Sequence, residues 1–224
     1  MKLSSNTTMV LKNFATINQN LVIKEGSELL TMSSMKNIVA KATVEENFPK
    51  EIAIYDLNEF LASLSIFKSP VLEFEEQYLT IKEEDQPHKK LTYFYSDPSV
   101  VQSPTKTISM PSEEVKFHLD INKLLEMKRA AGVIGSPDMV LQKSSGNSSL
   151  LVKDKKNDTA NNYSSDIKTD GDGEYKFFFK VENLKLFDGD YDVKISSKNI
   201  SHFKNDKSNI EYWIALEPES TYSN

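Results

Sequence analysis

The sequence has 224 residues, a formal net charge of −6 and no cysteine. That length suits two small domains or one large β-rich domain. The lack of cysteine excludes disulfide scaffolds, thiol catalysis and cysteine-ligated zinc. The N-terminal stretch has no secretory apolar run, and no segment approaches the roughly 18 apolar residues of a membrane span, so we expect a cytoplasmic protein without membrane contact.

The first half of the chain mixes helix and strand signals. Residues 6–17 carry apolar side chains at helical spacing, which predicts a helix capped by Asn6. Short strands follow, with a hairpin turn at Gly26. A second helix, capped by Asp56, is predicted over residues 56–67, and further strands come after it.

Residues 98–113 interrupt this pattern. The segment holds three prolines among serines and threonines, and neither the helical nor the strand period continues through it. It lies near the midpoint of the chain. We therefore predict two domains, 1–97 and 114–224, joined by an interdomain connector over 98–113.

The second half begins with a strand and a helix that starts after Asp120 and covers residues 121–132. A hairpin, a polar stretch over 153–174, a strand and a short helix over 181–187 are predicted next, followed by a hairpin and a last strand. On a helical wheel the helix over 121–132 divides into two arcs. The predicted buried arc contains Ile121, Leu124, Leu125 and Ala131. The predicted outer arc contains Asn122, Lys123, Glu126 and Arg129.

The two halves repeat a similar order of elements. The second helices of the halves align on Asn58 and Asn183, and the ends of the halves align at nearly the same offset. This agreement indicates an internal duplication. Two unrelated α+β domains, or a single domain with this order by chance, remain as alternatives.

Signatures of catalysis are missing from the sequence. It has no glycine-rich nucleotide loop and no nucleophile elbow, and its three histidines, His88, His118 and His202, are scattered. Alternating carboxylates occur at residues 170–174 and 188–192, where Asp-Gly turns account for them. We expect no enzyme activity, no metal and no cofactor, and we keep as an alternative an enzyme with a carboxylate metal site at residues 188–192.

The outer faces of the predicted helices are small, polar and mildly basic in an acidic chain. They carry Thr8, Lys12, Asn58, Ala62, Ser65, Asn122, Lys123, Arg129 and Lys185. Taken together, these faces fit a surface that contacts phosphates without reading bases. For any single helix, an ordinary solvated face is the alternative.

Several segments resemble the sliding clamps, the DNA polymerase processivity factors of T-even-type bacteriophages. They are MKLSSNTTMVLKNFATIN, AIYDLNEFLASLS, DINKLLEMKRAAG and NIEYWIALEPEST, which occur in this order from end to end of the chain. The resemblance implies an α+β fold of two similar clamp domains, each with two helices backed by antiparallel sheets. It also implies that three subunits assemble head to tail into a closed ring around duplex DNA.

The resemblance further implies partners and a setting. The expected partners are duplex DNA bound without sequence preference, the replicative DNA polymerase, an ATP-driven clamp loader and factors of late transcription, in the cytoplasm of an infected bacterial host. A two-domain phage adaptor or structural protein that binds no DNA remains the alternative.

Candidate site residues follow from the same resemblance. The DNA-facing candidates are Lys12, Lys123, Lys128, Arg129 and Lys185. Lys128 is the least certain of them, because the wheel places it near the buried arc, where it would either lie at a fraying helix end or extend its stem along the apolar surface to reach solvent. The apolar candidates for a pocket that binds partner peptides are Val100, Val101, Ile108, Met110 and Pro218. These five residues could equally pack the connector onto the core.

Overall fold

Residues 1–104 and 108–223 are described by a computed structural model. The chain divides into two units, Met1–Thr107 and Ile108–Asn224. The segment 105–107 of the predicted connector lies outside the described residues. Of the rest of that connector, only Pro98–Val100 forms regular structure, a single 3-10 turn.

The part of the first unit that the structure describes, residues 1–104, contains two α-helices, α1 (Ser5–Ile17) and α2 (Leu57–Ser65). Its strands form two antiparallel groups, with the orders β4-β1-β2-β3 and β5-β6-β7. The strands are β1 (Leu21–Ile23), β2 (Gly26–Met32), β3 (Ile38–Phe48), β4 (Ile52–Ile54), β5 (Pro70–Phe74), β6 (Tyr78–Glu83) and β7 (Gln86–Phe94).

The core of the first unit lies between the helices and the strands. Leu11 and Phe14 of α1 and Leu57 and Phe60 of α2 are almost fully buried. The spacing of these residues gives each helix one apolar stripe, and burying the stripe supplies most of the stability of a short helix. The opposite face of each helix is therefore left to solvent.

Within its described residues, 108–223, the second unit contains one α-helix, α3 (Ile121–Ile134). Its strands form two antiparallel groups, with the orders β15-β14-β13-β8 and β11-β10-β9-β12-β16. The strands are β8 (Val115–Leu119), β9 (Asp138–Ser144), β10 (Asn147–Lys153), β11 (Tyr163–Asp166), β12 (Glu174–Lys180), β13 (Tyr191–Ser196), β14 (Ile200–Asn205), β15 (Ile210–Ala215) and β16 (Thr221–Ser223).

The prediction of a helix over residues 181–187 is wrong. A single 3-10 turn, Val181–Asn183, occupies its start, and the chain then continues without regular structure, with Leu184 and Leu186 buried. At the end of this segment, tyrosines of neighbouring strands bind both backbone groups of Phe187. The N–H of Phe187 donates to the hydroxyl of Tyr212 at 3.0 Å, and the hydroxyl of Tyr191 donates to the carbonyl of Phe187 at 2.5 Å.

The buried arc predicted for α3 also needs correction. Leu124, Met127 and Ala131 are buried, whereas Leu125 has 48% of its surface exposed. The buried stripe is the one that faces the strands α3 contacts, which are β9, β10 and β11. Met127 fills this contact because its flexible side chain adapts to an irregular surface. The whole helix is thereby rotated relative to the prediction.

Two helix boundaries differ from those predicted. Helix α1 is capped by Ser4, whose side chain accepts a hydrogen bond from the N–H of Thr7, and not by Asn6. Helix α3 continues to Ile134 and ends at Gly135, which has a left-handed φ of 68°. Glycine adopts that conformation at little cost and often ends helices in this way.

Candidate nucleic-acid interface

Helix α1 holds Lys12 on an exposed stripe together with Met9 and Thr16. The stripe lies opposite the buried residues of the helix. The start of the helix is fastened by Glu46 of β3, whose carboxylate accepts hydrogen bonds from the N–H of Ser4 and the hydroxyl of Thr7. The position of Lys12 is therefore set by a capped and buried helix.

The carboxyl group of Glu46 has a lowered pKa. Partial burial raises this pKa, but the hydrogen bonds from Thr7 and Ser4 favour the charged form and outweigh the burial. Since Thr7 is fully buried, the carboxylate also satisfies a hydroxyl that has left water. Glu46 thus fixes the entry of the chain into α1.

Helix α2 presents a neutral face apart from Glu59. Its cap is Asp56, which accepts hydrogen bonds from the N–H groups of Asn58 and Glu59 at 2.9 and 3.1 Å. Asn58, Ala62 and Ser65 are exposed, as their spacing predicts. This helix therefore contributes no cation to the candidate surface.

Helix α3 places Arg129 at the centre of its exposed face. Asn122, Leu125 and Val133 share this face, and Val133 has 80% of its surface exposed. Asp120 caps the helix by accepting a hydrogen bond from the N–H of Asn122 at 2.7 Å. The single arginine of the chain thus stands among small, neutral or apolar neighbours.

Lys123 lies on one flank of α3 and already has partners. Its ammonium group donates to the hydroxyl of Ser165 in β11 and lies 3.3 Å from a carboxylate oxygen of Glu126. The hydroxyl of Tyr163 donates to the same carboxylate. This small network fastens α3 to β11, so Lys123 has a structural role in addition to the predicted one.

Lys128 lies on the other flank of α3 and is partly buried. Burial disfavours its ammonium ion and lowers its pKa, and the negative charge of Asp188 opposes this effect. The snorkelling predicted from the helical wheel agrees with this half-buried position. Lys128 presents less charge to solvent than Arg129 does.

Lys185 lies in the irregular segment that stands in place of the predicted fourth helix. Its surface is partly exposed, and the neighbouring Leu184 and Leu186 point into the core. Among the five cations predicted to face DNA, only Lys12 and Arg129 stand at the centre of an exposed helix face. The other three lie on flanks or outside helices.

The pocket residues of the first unit have opposite exposures. Val100 ends the 3-10 turn and has 58% of its surface exposed, whereas Val101 is only 7% exposed and packs against Val22 and Ala53. The turn is held by Asp97, whose carboxylate accepts a hydrogen bond from the N–H of Ser99 at 2.8 Å. Val101 therefore anchors the start of the connector to the core.

The pocket residues of the second unit are more accessible. Ile108 and Met110 are partly exposed and Pro218 is exposed. Pro218 lies in a segment that is fastened on both sides. The N–H of Glu217 donates to the carbonyl of Phe178 at 2.9 Å, and the hydroxyl of Ser220 accepts a hydrogen bond from the N–H of Phe178 at 2.9 Å.

A group of ion pairs that sequence reasoning missed reinforces this C-terminal segment. The ammonium group of Lys155 lies 2.7 Å from Glu217 and 2.9 Å from Glu219. Asp138, which is fully buried, pairs with Lys180 at 2.6 Å and accepts a hydrogen bond from the N–H of Lys155. The sequence offered no signal for this group, because Lys155 belongs to a polar stretch that has no period.

The acidic cluster at residues 188–192 has structural partners. Asp190 accepts a hydrogen bond from the N–H of Ile121 at 2.9 Å, and Asp192 pairs with His118 at 3.0 Å. Within residues 1–104 and 108–223, no group of three or more His, Asp or Glu side chains is placed to hold a metal ion. In the same ranges no helix has the length and apolar character to cross a membrane.

Comparisons with known proteins cover nearly the whole chain. The family described as DNA polymerase processivity factor matches residues 2–101, and the family described as gp45 sliding clamp, C terminal, matches residues 116–218. The chain is 33% identical to the sliding clamp of Vibrio phage KVP40 over 97% of its length and 99% of that protein. It is 29% identical to the sliding clamp of Enterobacteria phage T4 over 99% of both.

A solved structure agrees in fold at much lower identity. Proliferating Cellular Nuclear Antigen from Entamoeba histolytica superposes with a TM-score of 0.68 at 12% identity, covering 96% of this chain and 97% of the other. The identity to the phage KVP40 protein over almost the full length of both chains shows the family. The chain belongs to the sliding clamps, the family of DNA polymerase processivity factors.

Proposed function

We propose that three copies of the chain close head to tail into a ring around duplex DNA, slide along it without sequence preference and tether the replicative DNA polymerase. The observation that carries this proposal is the contrast between a chain of formal charge −6 and the cations Lys12 and Arg129, each central on an exposed helix face. An acidic exterior repels phosphates, whereas these faces attract them.

The sparse charge of these faces suits a ring. A ring keeps DNA by topology, so contacts with phosphates serve to guide the duplex and need not grip it. In this proposal Lys12 and Arg129 make the main phosphate contacts. Lys123, Lys128 and Lys185 add to the potential from the flanks, and Lys123 contributes less because Glu126 neutralises much of its charge.

We also propose a docking place for partners. The apolar candidates for contact with a short peptide of the polymerase or the clamp loader are Val100 and Val101 in the first unit and Ile108, Met110 and Pro218 in the second unit, with Val101 buried. Pro218 suits this role because ion pairs and hydrogen bonds fasten its segment, which lowers the entropy lost on binding.

The remaining partners follow from family membership. In this proposal an ATP-driven loader opens the ring, and factors of late transcription use it as a mobile platform in the cytoplasm of an infected bacterial host. The protein acts by binding and topology and catalyses no reaction. Transcription from a late promoter on nicked template, with and without the protein, tests the platform role.

Retention on DNA tests the ring. The protein is loaded onto nicked circular DNA and passed through a sizing column before and after the circle is cut. We expect protein to stay with circles and to leave linear DNA, because the ends of a linear molecule release a ring. Equal retention on both forms would overturn topological tethering.

Charge reversal tests the DNA-facing residues. We expect the double variant Lys12→Glu with Arg129→Glu to lose most polymerase processivity, since like charges would then face the phosphates. Lys207→Glu, at an exposed turn, is the matched control and should keep full processivity. Unchanged processivity in the double variant would instead favour an adaptor that binds no DNA.

A further inference from the structure

Strand β8 lies at the end of its group of strands in the second unit. In the order β15-β14-β13-β8 it is terminal, and its buried and exposed residues alternate, as in a regular strand with one face in the core. A terminal strand presents N–H and C=O groups that have no partner in its own sheet, and it is a template for another strand. Such an edge must be covered if the chain is to stay apart from other chains.

A short segment that the proposed function does not use lies along this edge. The segment, residues 167–173, joins β11 to β12 and forms a strap. Within it, Asp170 makes an antiparallel bridge with Lys116 of β8. The N–H of Lys116 donates to the carbonyl of Asp170 at 2.7 Å, and the N–H of Asp170 donates to the carbonyl of Lys116 at 2.7 Å. The strap therefore occupies both outward backbone groups of Lys116, as a paired strand would.

Hydroxyl groups fasten the strap to the other group of strands in this unit. The hydroxyl of Thr169 lies 2.7 Å from that of Ser148 in β10 and 2.6 Å from that of Tyr175 in β12. Tyr175 is buried, so its hydroxyl needs a partner within the protein. The N–H of Ile167 also donates to the carbonyl of Ser148, at 3.2 Å. The strap thus connects the two groups of strands and is held in place by the core.

Gly171 allows the strap to lie close to β8. A Cβ atom at this position would be 2.9 Å from the carbonyl oxygen of Glu114 and 3.0 Å from a methyl carbon of Val115. The first of these atoms belongs to the backbone and cannot rotate away. On the other side, the ammonium group of Lys143 donates to the carbonyl of Gly171 at 2.6 Å. A side chain at Gly171 would therefore push the strap away from β8.

We propose that the strap is an edge guard, which prevents β8 of one copy from pairing with β8 of a second copy. Alternate residues of an antiparallel strand turn their backbone groups to the same side, so His118 is oriented as Lys116 is. Two β8 strands laid antiparallel about Phe117 would place Lys116 of each copy opposite His118 of the other. The edge is thus complementary to itself, as a two-fold contact requires.

The edge guard works by competition. Because the strap already binds the outward groups of Lys116, a second copy would have to break these hydrogen bonds before it could pair. This role goes beyond the proposed function and does not depend on the ring. If the ring forms, each copy in it carries one such edge, and unguarded rings would join into a network that does not close.

Displacing the strap tests the edge guard. We expect full-length protein with Gly171→Val to form species larger than those of the natural protein in sedimentation, in a fraction that grows with concentration. The amide of Lys116 should exchange hydrogen several-fold faster, because its partner has moved. The control, Asp172→Val, places the same side chain at an exposed neighbouring residue and should sediment like the natural protein. Equal association of both variants would overturn the proposal, since added apolar surface would then explain it.

A milder variant covers the case in which Gly171→Val does not fold. Thr169→Val removes the hydroxyl that binds Ser148 and Tyr175 and does not crowd β8. We expect a folded protein with faster exchange at the amide of Lys116 and a smaller fraction of the same large species. Faster exchange with unchanged sedimentation at every concentration would overturn the proposal, because the edge would then be open without pairing.

Cysteine cross-linking identifies the partner strand, because the natural chain has no cysteine. Two proteins, both with Thr169→Val, carry either Lys116→Cys or His118→Cys and are mixed and oxidised mildly. We expect the mixture to form disulfide dimers several-fold faster than either protein alone, since directly opposite residues lie within disulfide distance. The same cysteines with the natural Thr169 should link several-fold more slowly.

Three outcomes of the cross-linking would contradict the proposal. Equal rates for the mixture and for the separate proteins would overturn the pairing of Lys116 with His118. Equal rates with Thr169 and with Thr169→Val would show that the strap guards nothing. Large species that form without mixed disulfide dimers would place the contact away from β8.

Discussion

At the scale of single residues, Glu46 of β3 fixes the start of α1, the helix that carries the candidate DNA contact Lys12. Its carboxylate binds the N–H of Ser4 and the hydroxyl of Thr7, and these bonds hold its pKa below the usual range despite partial burial. The start of α1, and with it the direction of the stripe that holds Lys12, depends on this group. The helical spacing of apolar residues indicated the helix but not the hydrogen bonds that fix its start.

Replacing Glu46 with Gln should lower the free energy of unfolding by about 1 kcal/mol at neutral pH, because a charge-assisted hydrogen bond is lost at a partly exposed site. The folded pKa is below the unfolded one, so the stabilisation is complete above pH 4.5 and is lost as the pH falls through the folded value. Urea unfolding of both proteins between pH 3 and pH 7 measures this difference. A difference that stays constant over this range would contradict the role given to the charge.

At the scale of elements, the C-terminal segment is held by charge where sequence reasoning expected only a polar loop. Lys155 reaches Glu217 and Glu219, and the buried Asp138 binds both Lys180 and the backbone of Lys155. These contacts connect the loop after β10 to the ends of β9 and β12. They keep the segment that contains Pro218 in one position.

Replacing Asp138 with Asn should therefore destabilise the protein by about 2 kcal/mol, because Lys180 would lose its charged partner at a buried site. Hydrogen exchange should increase at the amides of Glu217 and Phe178, whose hydrogen bonds fasten the segment.

The control is Glu219→Gln, which removes a more exposed carboxylate. Exposed pairs contribute at most about 1 kcal/mol, so this variant should unfold at nearly the same urea concentration as the natural protein. Equal losses in both variants would show that burial of Asp138 has no special importance.

At the scale of the whole molecule, the proposed ring encloses the DNA and attracts its phosphates only weakly. Retention then depends on the joints between subunits, and mobility depends on the helix faces. The neutral face of α2, with Asn58, Ala62 and Ser65, is the place where added charge would change mobility and leave the joints intact.

The variant Ser65→Lys should slow diffusion along DNA and steepen the salt dependence of that diffusion, because a ring would gain three cations facing phosphates. Retention on nicked circles should stay the same. Single-molecule tracking at two salt concentrations measures the change. The control is Gln77→Lys, at an exposed turn between β5 and β6, which should diffuse like the natural protein. Slower diffusion of both variants would point to a general effect of added charge.

Much of the fold could be predicted from the sequence because it depends on local spacing. The stripes of α1 and α2, the caps at Asp56 and Asp120 and the turn at Gly26 are encoded within a few residues. The prediction of a helix over 181–187 was wrong because Leu184 and Leu186 are both buried and the backbone of Phe187 binds Tyr191 and Tyr212, tertiary contacts that no local pattern reveals. The domain boundaries and the site residues stay predictions.

The sequence by itself determined that α1, α2 and α3 form and which of their side chains share a face, since the period of a helix is a property of the backbone. Only the tertiary structure decided which face of α3 is buried, because that depends on β9, β10 and β11. It likewise decided that Lys123 binds Ser165 and that Arg129 is exposed. Packing brings together residues distant in sequence, and no local pattern specifies those partners.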